Sequence, residues 1–195
     1  MSKSKPDRTA SPAPRVVAAG RYITFVDDAG WEYITRPGIT GIVILVVITP
    51  ARELVLVEQY RPAIRGRVIE LPAGLVGDVA GRETESLASA AHRELVEETG
   101  FEAREMVELG AGPIAVGVSD EIVTFFEARG LTRVGPGGGD DSEDITVHVV
   151  PLARLARFLA DKRAGGLLVD PKIYAGLFLV GETRDAAGAD DAGAS

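Results

Sequence analysis

The chain alternates short apolar runs with polar turn segments, a pattern typical of a protein built mainly from strands. The segments YITFVDD and WEYITR flank a short Asp-Ala-Gly turn and predict a β-hairpin. The runs GIVILVVIT and LVLVEQY are almost wholly apolar and rich in branched side chains. They predict a second hairpin that is buried on both faces for much of its length. The segment GRVIEL predicts a further strand that ends at Pro72.

Loops and helices are predicted between and after these strands. Residues 74–82 contain three glycines and predict a loop, whereas residues 84–99 predict a helix, because Leu87, Ala91 and Leu95 recur every four positions. The segments EMVELGAG, EIVTFFEAR and ITVHVVPL predict strands, and GPGGGDDSED predicts a flexible acidic loop. ARLARFLADKRA and DPKIYAGLFLV predict two final helices. This order indicates an α+β fold, or α/β/α layers, without a regular βαβ repeat.

The two ends of the chain differ from the middle in composition. Residues 1–15 and 183–195 are rich in small and polar residues, with proline at the front and glycine and alanine at the back. Such segments bury too little apolar surface to fold, so we expect both tails to be disordered. Between them we expect a small β element over residues 16–38 and one main domain over residues 39–182.

Composition narrows the chemistry that such a fold can carry. The net charge of −8 speaks against a nucleic-acid partner, since binding phosphate backbones needs clustered Lys and Arg. The chain has no cysteine and two histidines, so a metal must be held by oxygen ligands, which favours Mg²⁺ or Mn²⁺. The longest apolar run is too short to cross a bilayer, and the N-terminus lacks the apolar region of a signal peptide. We therefore expect a cytoplasmic protein without a membrane partner.

An acidic cluster stands at the end of the predicted helix, in the segment RELVEETGF. At about 100° per residue, Glu94, Glu97 and Glu98 project within one sector beside the apolar stripe. Like charges so placed repel each other, and partial burial adds a desolvation cost. A divalent cation would relieve both effects. Taken alone, such a cluster is more often a solvated helix face, so the surrounding residues decide between the two interpretations.

Residues 70–101, ELPAGLVGDVAGRETESLASAAHRELVEETGF, resemble the Nudix box, the signature of hydrolases of nucleoside diphosphates linked to another moiety. Glu85 stands eight positions before Arg93, as in that signature, and RELVEETGF agrees with every fixed position. Ten residues separate Gly74 from Glu85 where the signature has five, so we expect an enlarged loop at residues 75–84. The resemblance implies a mixed-sheet α/β/α sandwich, preceded here by a small N-terminal β-hairpin or sheet.

The same resemblance implies roles for the residues of the box. It implies oxygen ligands for Mg²⁺, with Mn²⁺ as an alternative ion: the carboxylates of Glu94, Glu97 and Glu98 and the backbone carbonyl of Ala73. It also implies structural roles, in which an ion pair braces the loop against the helix and a glycine ends the helix: Glu85, Arg93 and Gly100.

Two segments outside the box extend the resemblance to ADP-ribose pyrophosphatases and related nucleoside-diphosphate-sugar hydrolases. LVEQYRPAIRGRVIELPAG is similar to the stretch before their box, which implies that Arg61 approaches the diphosphate or terminal ribose and that Glu70 shapes the pocket. A surface salt bridge is the alternative for Arg61. DDSEDITVHVVPL is similar to their catalytic acidic loop, which implies that Glu143 completes the metal site and that Asp141 activates water. A solvated acidic loop is the alternative there.

The N-terminal hairpin has a counterpart in this subgroup, where an N-terminal sheet exchanges between the subunits of a dimer and helps to hold the base. The resemblance therefore implies a homodimer and a purine stacked on Trp31, with a core position as the alternative. Tyr60 has the same two interpretations, of which packing is favoured. Val116 stands where the subgroup carries the proline of a Ser-Pro-Gly segment, which widens the set of candidate sugars.

The expected function is Mg²⁺-dependent hydrolysis of the diphosphate linkage of ADP-ribose or a related nucleoside diphosphate sugar. The products are a nucleoside monophosphate and a sugar phosphate, and the expected catalytic carboxylates are Glu97, Glu98, Asp141 and Glu143. The alternatives are a hydrolase of another nucleotide sugar such as GDP-mannose, a nucleoside triphosphatase, and a non-catalytic domain that senses a nucleotide sugar.

Overall fold

The computed structural model describes residues 13–139 and 143–192. The strands are β1 Arg15–Ala19, β2 Thr24–Asp28, β3 Trp31–Thr35, β4 Gly41–Val47, β5 Glu53–Arg61, β6 Gly66–Glu70, β7 Ala73–Val76, β8 Phe101–Glu102, β9 Glu105–Pro113, β10 Ile122–Arg129, β11 Thr132–Arg133, β12 Ile145–Pro151 and β13 Leu168–Val169. The helices are α1 Leu87–Glu94, α2 Leu155–Ala164 and α3 Lys172–Ala192, with a π-helical turn at Leu95–Thr99 and a 3₁₀ turn at Leu152–Arg154.

Two four-stranded sheets form the centre of the domain. One has the order β7-β4-β10-β9 and the other has the order β12-β5-β6-β13. Each sheet is mixed, because β4 and β10 are parallel in the first, β6 and β13 are parallel in the second, and their other strand pairs are antiparallel. The bridge between Ile48 and Leu54 joins β4 to β5 and so connects the two sheets.

Strand β4 is buried on both faces and separates two hydrophobic clusters. Ile44 and Val46 pack with residues of α2 and α3, whereas Val43, Leu45 and Val47 pack with α1. Alternate side chains of a strand point to opposite faces, so an almost wholly apolar β4 can serve both layers. The expected α/β/α sandwich with a mixed sheet is confirmed.

The N-terminal element is a separate three-stranded antiparallel sheet in the order β1-β2-β3. It includes the hairpin that the alternation around Asp-Ala-Gly predicts, and β1 adds a strand with all five residues exposed. The sheet is tied to the loop before β10, because the N–H of Ile34 donates to the carbonyl of Val118 at 2.8 Å and Arg36 pairs with Glu121 at 3.0 Å.

The box loop and its helix differ in detail from the sequence prediction. The prediction of a loop from Gly74 was wrong, since residues 73–76 form β7 and pair with β4. Gly74 is required by the close approach of α1, because a Cβ there would overlap the carboxyl group of Glu94. The helix begins at Leu87, later than residue 84, since the Ser86 hydroxyl caps it by accepting from the N–H of Ser89.

Two further segments contain hydrogen-bonded structure, one at the start of the predicted acidic loop and one beyond residue 182. The predicted acidic loop begins with glycines that are hydrogen-bonded to the end of the box helix, with the N–H of Gly138 donating to the carbonyl of Glu98 at 2.9 Å. Helix α3 extends through Ala192, past the expected end of the domain at residue 182. None of the helices in the described part of the chain combines the length and apolar character that a membrane-spanning helix needs.

Gly100 fixes the end of the box helix and can be tested by substitution. Its φ of 70° is left-handed, and a Cβ would overlap the backbone of Gly135 and Gly137. We expect Gly100→Ala to lower the free energy of unfolding by at least ~2 kcal/mol, measured by urea titration. Gly181→Ala is the control, because its surroundings in α3 are open and alanine favours helix. Equal stability of the two variants would contradict this account of the turn.

Candidate active site

Glu94 and Glu98 are buried at the C-terminal end of α1, where it packs against β7. Glu98 is 2% exposed, and its carboxylate accepts a hydrogen bond of 3.0 Å from the N–H of Ala73. Glu94 is 9% exposed and lies against Gly74. Two carboxylates are therefore held in the wall between helix and sheet, where their negative charges are poorly solvated.

Burial sets the electrostatics of this pair. It raises the pKa of Glu94 to about 7, although Arg93 opposes the shift. Burial also raises the pKa of Glu98 well above its ordinary value, and the negative charges of Glu94 and Glu143 raise it further. The N–H of Ala73 and the charge of Arg61 act in the opposite direction. Both sites thus favour either a proton or a nearby positive charge.

Arg93 is the cation at the centre of the acidic helix end. One terminal nitrogen donates to Glu94 at 2.7 Å and to Glu97 at 3.2 Å. The other donates to Glu85 at 2.9 Å and to the carbonyl of Leu75 at 3.1 Å. Arg93 therefore joins the helix to the loop and to β7, which is the bracing contact with Glu85 that the box resemblance implies.

Glu97 occupies a different environment from the other two glutamates. Its side chain is 49% exposed and pairs with Arg93. The sequence prediction placed all three carboxylates in one sector by assuming regular α-helix, but Leu95–Thr99 form a π-helical turn, which changes the angular spacing after Glu94. In residues 13–139 and 143–192, no three Asp, Glu, His or Cys side chains converge as a ready-made metal centre. The roles of Glu97 and of the Ala73 carbonyl as ligands stay predictions.

Arg61 and Glu70 form the neighbouring wall of the site. Arg61 Nε donates to Glu70 at 2.8 Å, and Glu70 is buried, which raises its pKa. Asp170 and Lys172, which were not predicted from the sequence, pair with each other, and their charges also act on Glu70. From the sequence these residues could be placed only at the start of the last helix, and no nearby motif indicates that this helix start lies close to the box.

The structure places the other residues that the sequence analysis named in different surroundings. Trp31 is 54% exposed, which rules out the core alternative, and Tyr60 is 48% exposed, so the prediction that it packs in the interior was wrong. Glu143 lies beside Gly139, close enough that its charge acts on Glu98. Asp141 lies outside the described residues, so its role stays a prediction.

The donor set at the end of α1 fits a hard divalent cation. The buried carboxylates of Glu94 and Glu98 are oxygen donors of the kind that Mg²⁺ and Mn²⁺ prefer, and added positive charge would relieve the burial that raises the pKa of each. The role of Glu143 as a further ligand stays a prediction. Arg61 stands beside these carboxylates with its side chain partly exposed. Oxygen ligands next to an arginine are suited to an oxyanion such as a diphosphate.

The NUDIX domain family model matches residues 39–169, which include both walls of this site except Lys172 and Asp170. The chain belongs to the NUDIX domain family. The ADP-ribose pyrophosphatase of Mycobacterium tuberculosis is 40% identical to it over 121 residues, covering 60% of this chain and 55% of that protein. The methanol dehydrogenase activator of Bacillus methanolicus is 32% identical over 133 residues, covering 68% of each chain.

A solved structure described as an ADP compounds hydrolase has the same fold as this Nudix domain and its N-terminal sheet. Its TM-score is 0.68 at 23% sequence identity, and the match covers 96% of this chain and 98% of that one. The expected family and fold are therefore confirmed.

The raised pKa of Glu94 predicts how stability depends on pH in EDTA. Between its ordinary pKa of 4.5 and its folded pKa of about 7, the folded chain keeps a proton that the unfolded chain releases. The free energy of unfolding should therefore fall as pH rises from ~4.5 to ~7. Glu94→Gln should make this slope shallower in urea titrations, whereas Glu102→Gln, at an exposed position, should leave it unchanged. An unchanged slope in Glu94→Gln would contradict the burial argument.

Proposed function

We propose that this Nudix protein hydrolyses the diphosphate linkage of ADP-ribose or a related nucleoside diphosphate sugar, with Mg²⁺ as its cofactor. The observation that carries the proposal is the pair of buried carboxylates, Glu94 and Glu98, beside Arg61. Two desolvated anions are costly in a chain that binds nothing there. A divalent cation would offset the cost of burying the two carboxylates, and its remaining charge, together with Arg61, would attract a negatively charged substrate.

The cation, held by Glu94 and Glu98, would supply charge neutralisation for the diphosphate and a polarised water. Arg61 binds phosphate oxygens through its terminal nitrogens, since within the described residues only its Nε has a hydrogen-bond partner, Glu70. Glu70 thereby fixes the orientation of the guanidinium. Glu98 or Glu143 accepts the proton of the attacking water, because both carboxylates lie at the same end of α1.

The similarity to ADP-ribose pyrophosphatase supports a nucleoside diphosphate sugar as the substrate class. Hydrolysis of ADP-ribose between its two phosphates gives AMP and ribose 5-phosphate. A panel of ADP-ribose, other ADP-sugars, GDP-mannose and nucleoside triphosphates, assayed with Mg²⁺, Mn²⁺ and EDTA, tests the proposal by product analysis. We expect monophosphate products that require the metal. Release of pyrophosphate from nucleoside triphosphates would indicate a nucleoside triphosphatase and contradict the proposal. Absence of turnover on every substrate of the panel would favour a non-catalytic sensor of a nucleotide sugar.

Glu98→Gln tests the assignment of the buried carboxylate. Removal of its charge should lower kcat by at least ~10²-fold, because the amide cannot replace an anionic ligand or a base. The free energy of unfolding in EDTA should not fall, since the neutral amide can accept the N–H of Ala73 without the desolvation cost of a carboxylate. Glu105→Gln, at an exposed position of β9, is the matched control and should keep wild-type kcat. Near-normal turnover of Glu98→Gln would remove Glu98 from the site.

We further propose that the N-terminal sheet forms a homodimer and brings Trp31 to the base. The exposed apolar side chains of β1, including Val16 and Val17, support an interface there. Trp31→Ala should raise KM by about 10-fold while leaving the melting temperature nearly unchanged, because stacking on a base is lost without a core contact. Phe178→Ala, another exposed aromatic position, is the control. An unchanged KM would exclude the stacking role.

A further inference from the structure

Arg67 reaches across the second sheet from β6 to the start of β12. These two strands are not neighbours, because β5 lies between them. Its Nε donates to Glu58 of β5 at 2.8 Å, and a terminal nitrogen donates to the carboxylate of Asp144 at 2.7 Å. The other terminal nitrogen approaches the backbone carbonyl of Asp144 at 3.4 Å. One planar guanidinium thus holds both the side chain and the backbone of Asp144.

Glu58 holds the guanidinium of Arg67 in the position from which it contacts Asp144. Burial alone would raise the pKa of Glu58, but hydrogen bonds from Lys162, His148 and Arg67 lower it to about 2. Glu58 is therefore an anion shared by three groups, and its carboxylate lies 2.7 Å from Lys162 Nζ and 3.0 Å from His148 Nε2. Such a shared acceptor restricts the guanidinium more than a single surface ion pair does.

Asp144 and Glu143 immediately precede β12, which begins at Ile145, and their side chains interact with different groups. Asp144 pairs with Arg67, whereas the charge of Glu143 adds to the burial that raises the pKa of Glu98. Holding Asp144 against Arg67 therefore restricts the directions in which the adjacent Glu143 can point.

Gly138 and Gly139 are hydrogen-bonded to the π-helical turn that follows α1, and Gly139 contacts Glu143. The N–H of Gly138 donates to the carbonyl of Glu98 at 2.9 Å, and the N–H of Gly139 donates to the carbonyl of Glu97 at 3.0 Å. A Cβ at Gly139 would lie 2.8 Å from the Cβ of Glu143, so the two residues are in close contact. Glu143 is thus bounded by the helix end on one side and by the Arg67–Asp144 contact on the other.

We propose that Arg67 is a positioning residue for the hydrolytic site, which acts by holding Asp144 so that Glu143 faces the carboxylate of Glu98. This inference rests on the proposed hydrolase function. Arg67 itself touches neither the carboxylates at the end of α1 nor Arg61. Its loss should therefore alter the placement of Glu143 and leave substrate binding largely intact.

The kinetic test compares Arg67→Met and Asp144→Asn with wild type on the best substrate of the panel. Each variant should lower kcat by about 10-fold and change KM by less than about 2-fold, because a small displacement of a catalytic group affects the chemical step. In a Glu143→Gln background, Asp144→Asn should cause no further loss, since both changes act through one carboxylate. Additive losses in that background would overturn the proposed route through Glu143.

Lys162→Met is the matched control, because Lys162 contacts Glu58 but not Asp144. It should keep wild-type kcat. An equal loss of kcat in Lys162→Met would show that the Glu58 cluster acts through stability and would overturn the proposal. Wild-type kcat in both Arg67→Met and Asp144→Asn would overturn it as well.

Hydrogen exchange separates this inference from the proposed function. In Asp144→Asn, the amides of Gly138, Gly139 and residues 143–147 should exchange at least ~10-fold faster than in wild type and in Lys162→Met, because one anchor is lost. If wild type cleaves no member of the panel, the proposed function fails, and the exchange result still decides whether Arg67 anchors the segment. Unchanged exchange in Asp144→Asn would overturn the anchoring.

Discussion

The burial of Glu94 and Glu98 against β7 is the constraint on which the rest of the site depends. A carboxylate that loses water must gain a proton, a hydrogen bond or a positive charge, or its burial destabilises the fold. Glu98 gains one N–H, from Ala73, and Glu94 gains Arg93. These contacts leave the pKa of each group raised, so they offset only part of the cost. The destabilisation that these contacts do not offset can be relieved by a divalent cation bound beside the two carboxylates.

The surrounding structure is arranged to keep these carboxylates in place before a ligand arrives. Gly74 allows α1 to approach β7, and Arg93 holds the helix to the enlarged loop through Glu85. The backbone of Gly138 and Gly139 satisfies carbonyls at the end of the π-helical turn. These contacts come from three different parts of the chain, so the position of the carboxylates depends on the packing between helix and sheet.

Hydrophobic alternation was sufficient to predict β4, β5, β10 and β12, because each carries a period-2 or wholly apolar pattern that no turn residue interrupts. The box resemblance predicted the acidic helix end and the contact of Glu85 with Arg93. The glycine pattern of residues 74–82 failed to predict β7, since Gly74 marks a close approach of α1 and a glycine in a sequence is usually interpreted as a turn. The separate environment of Glu97 also escaped prediction, because a π-helical turn has no local sequence signal. Contacts between distant strands, such as Arg67 with Asp144, depend on the tertiary fold and cannot be inferred from spacing.

The most direct test of the central claim is a crystal structure of the protein grown with Mn²⁺ and a non-hydrolysable ADP-ribose analogue, with anomalous diffraction data to locate the metal. We expect an anomalous peak within ligand distance of the carboxylate oxygens of Glu94 and Glu98 and of a phosphate of the analogue. A structure in which the analogue is bound, Glu94 and Glu98 keep their buried positions and no anomalous peak lies beside them would contradict the central claim.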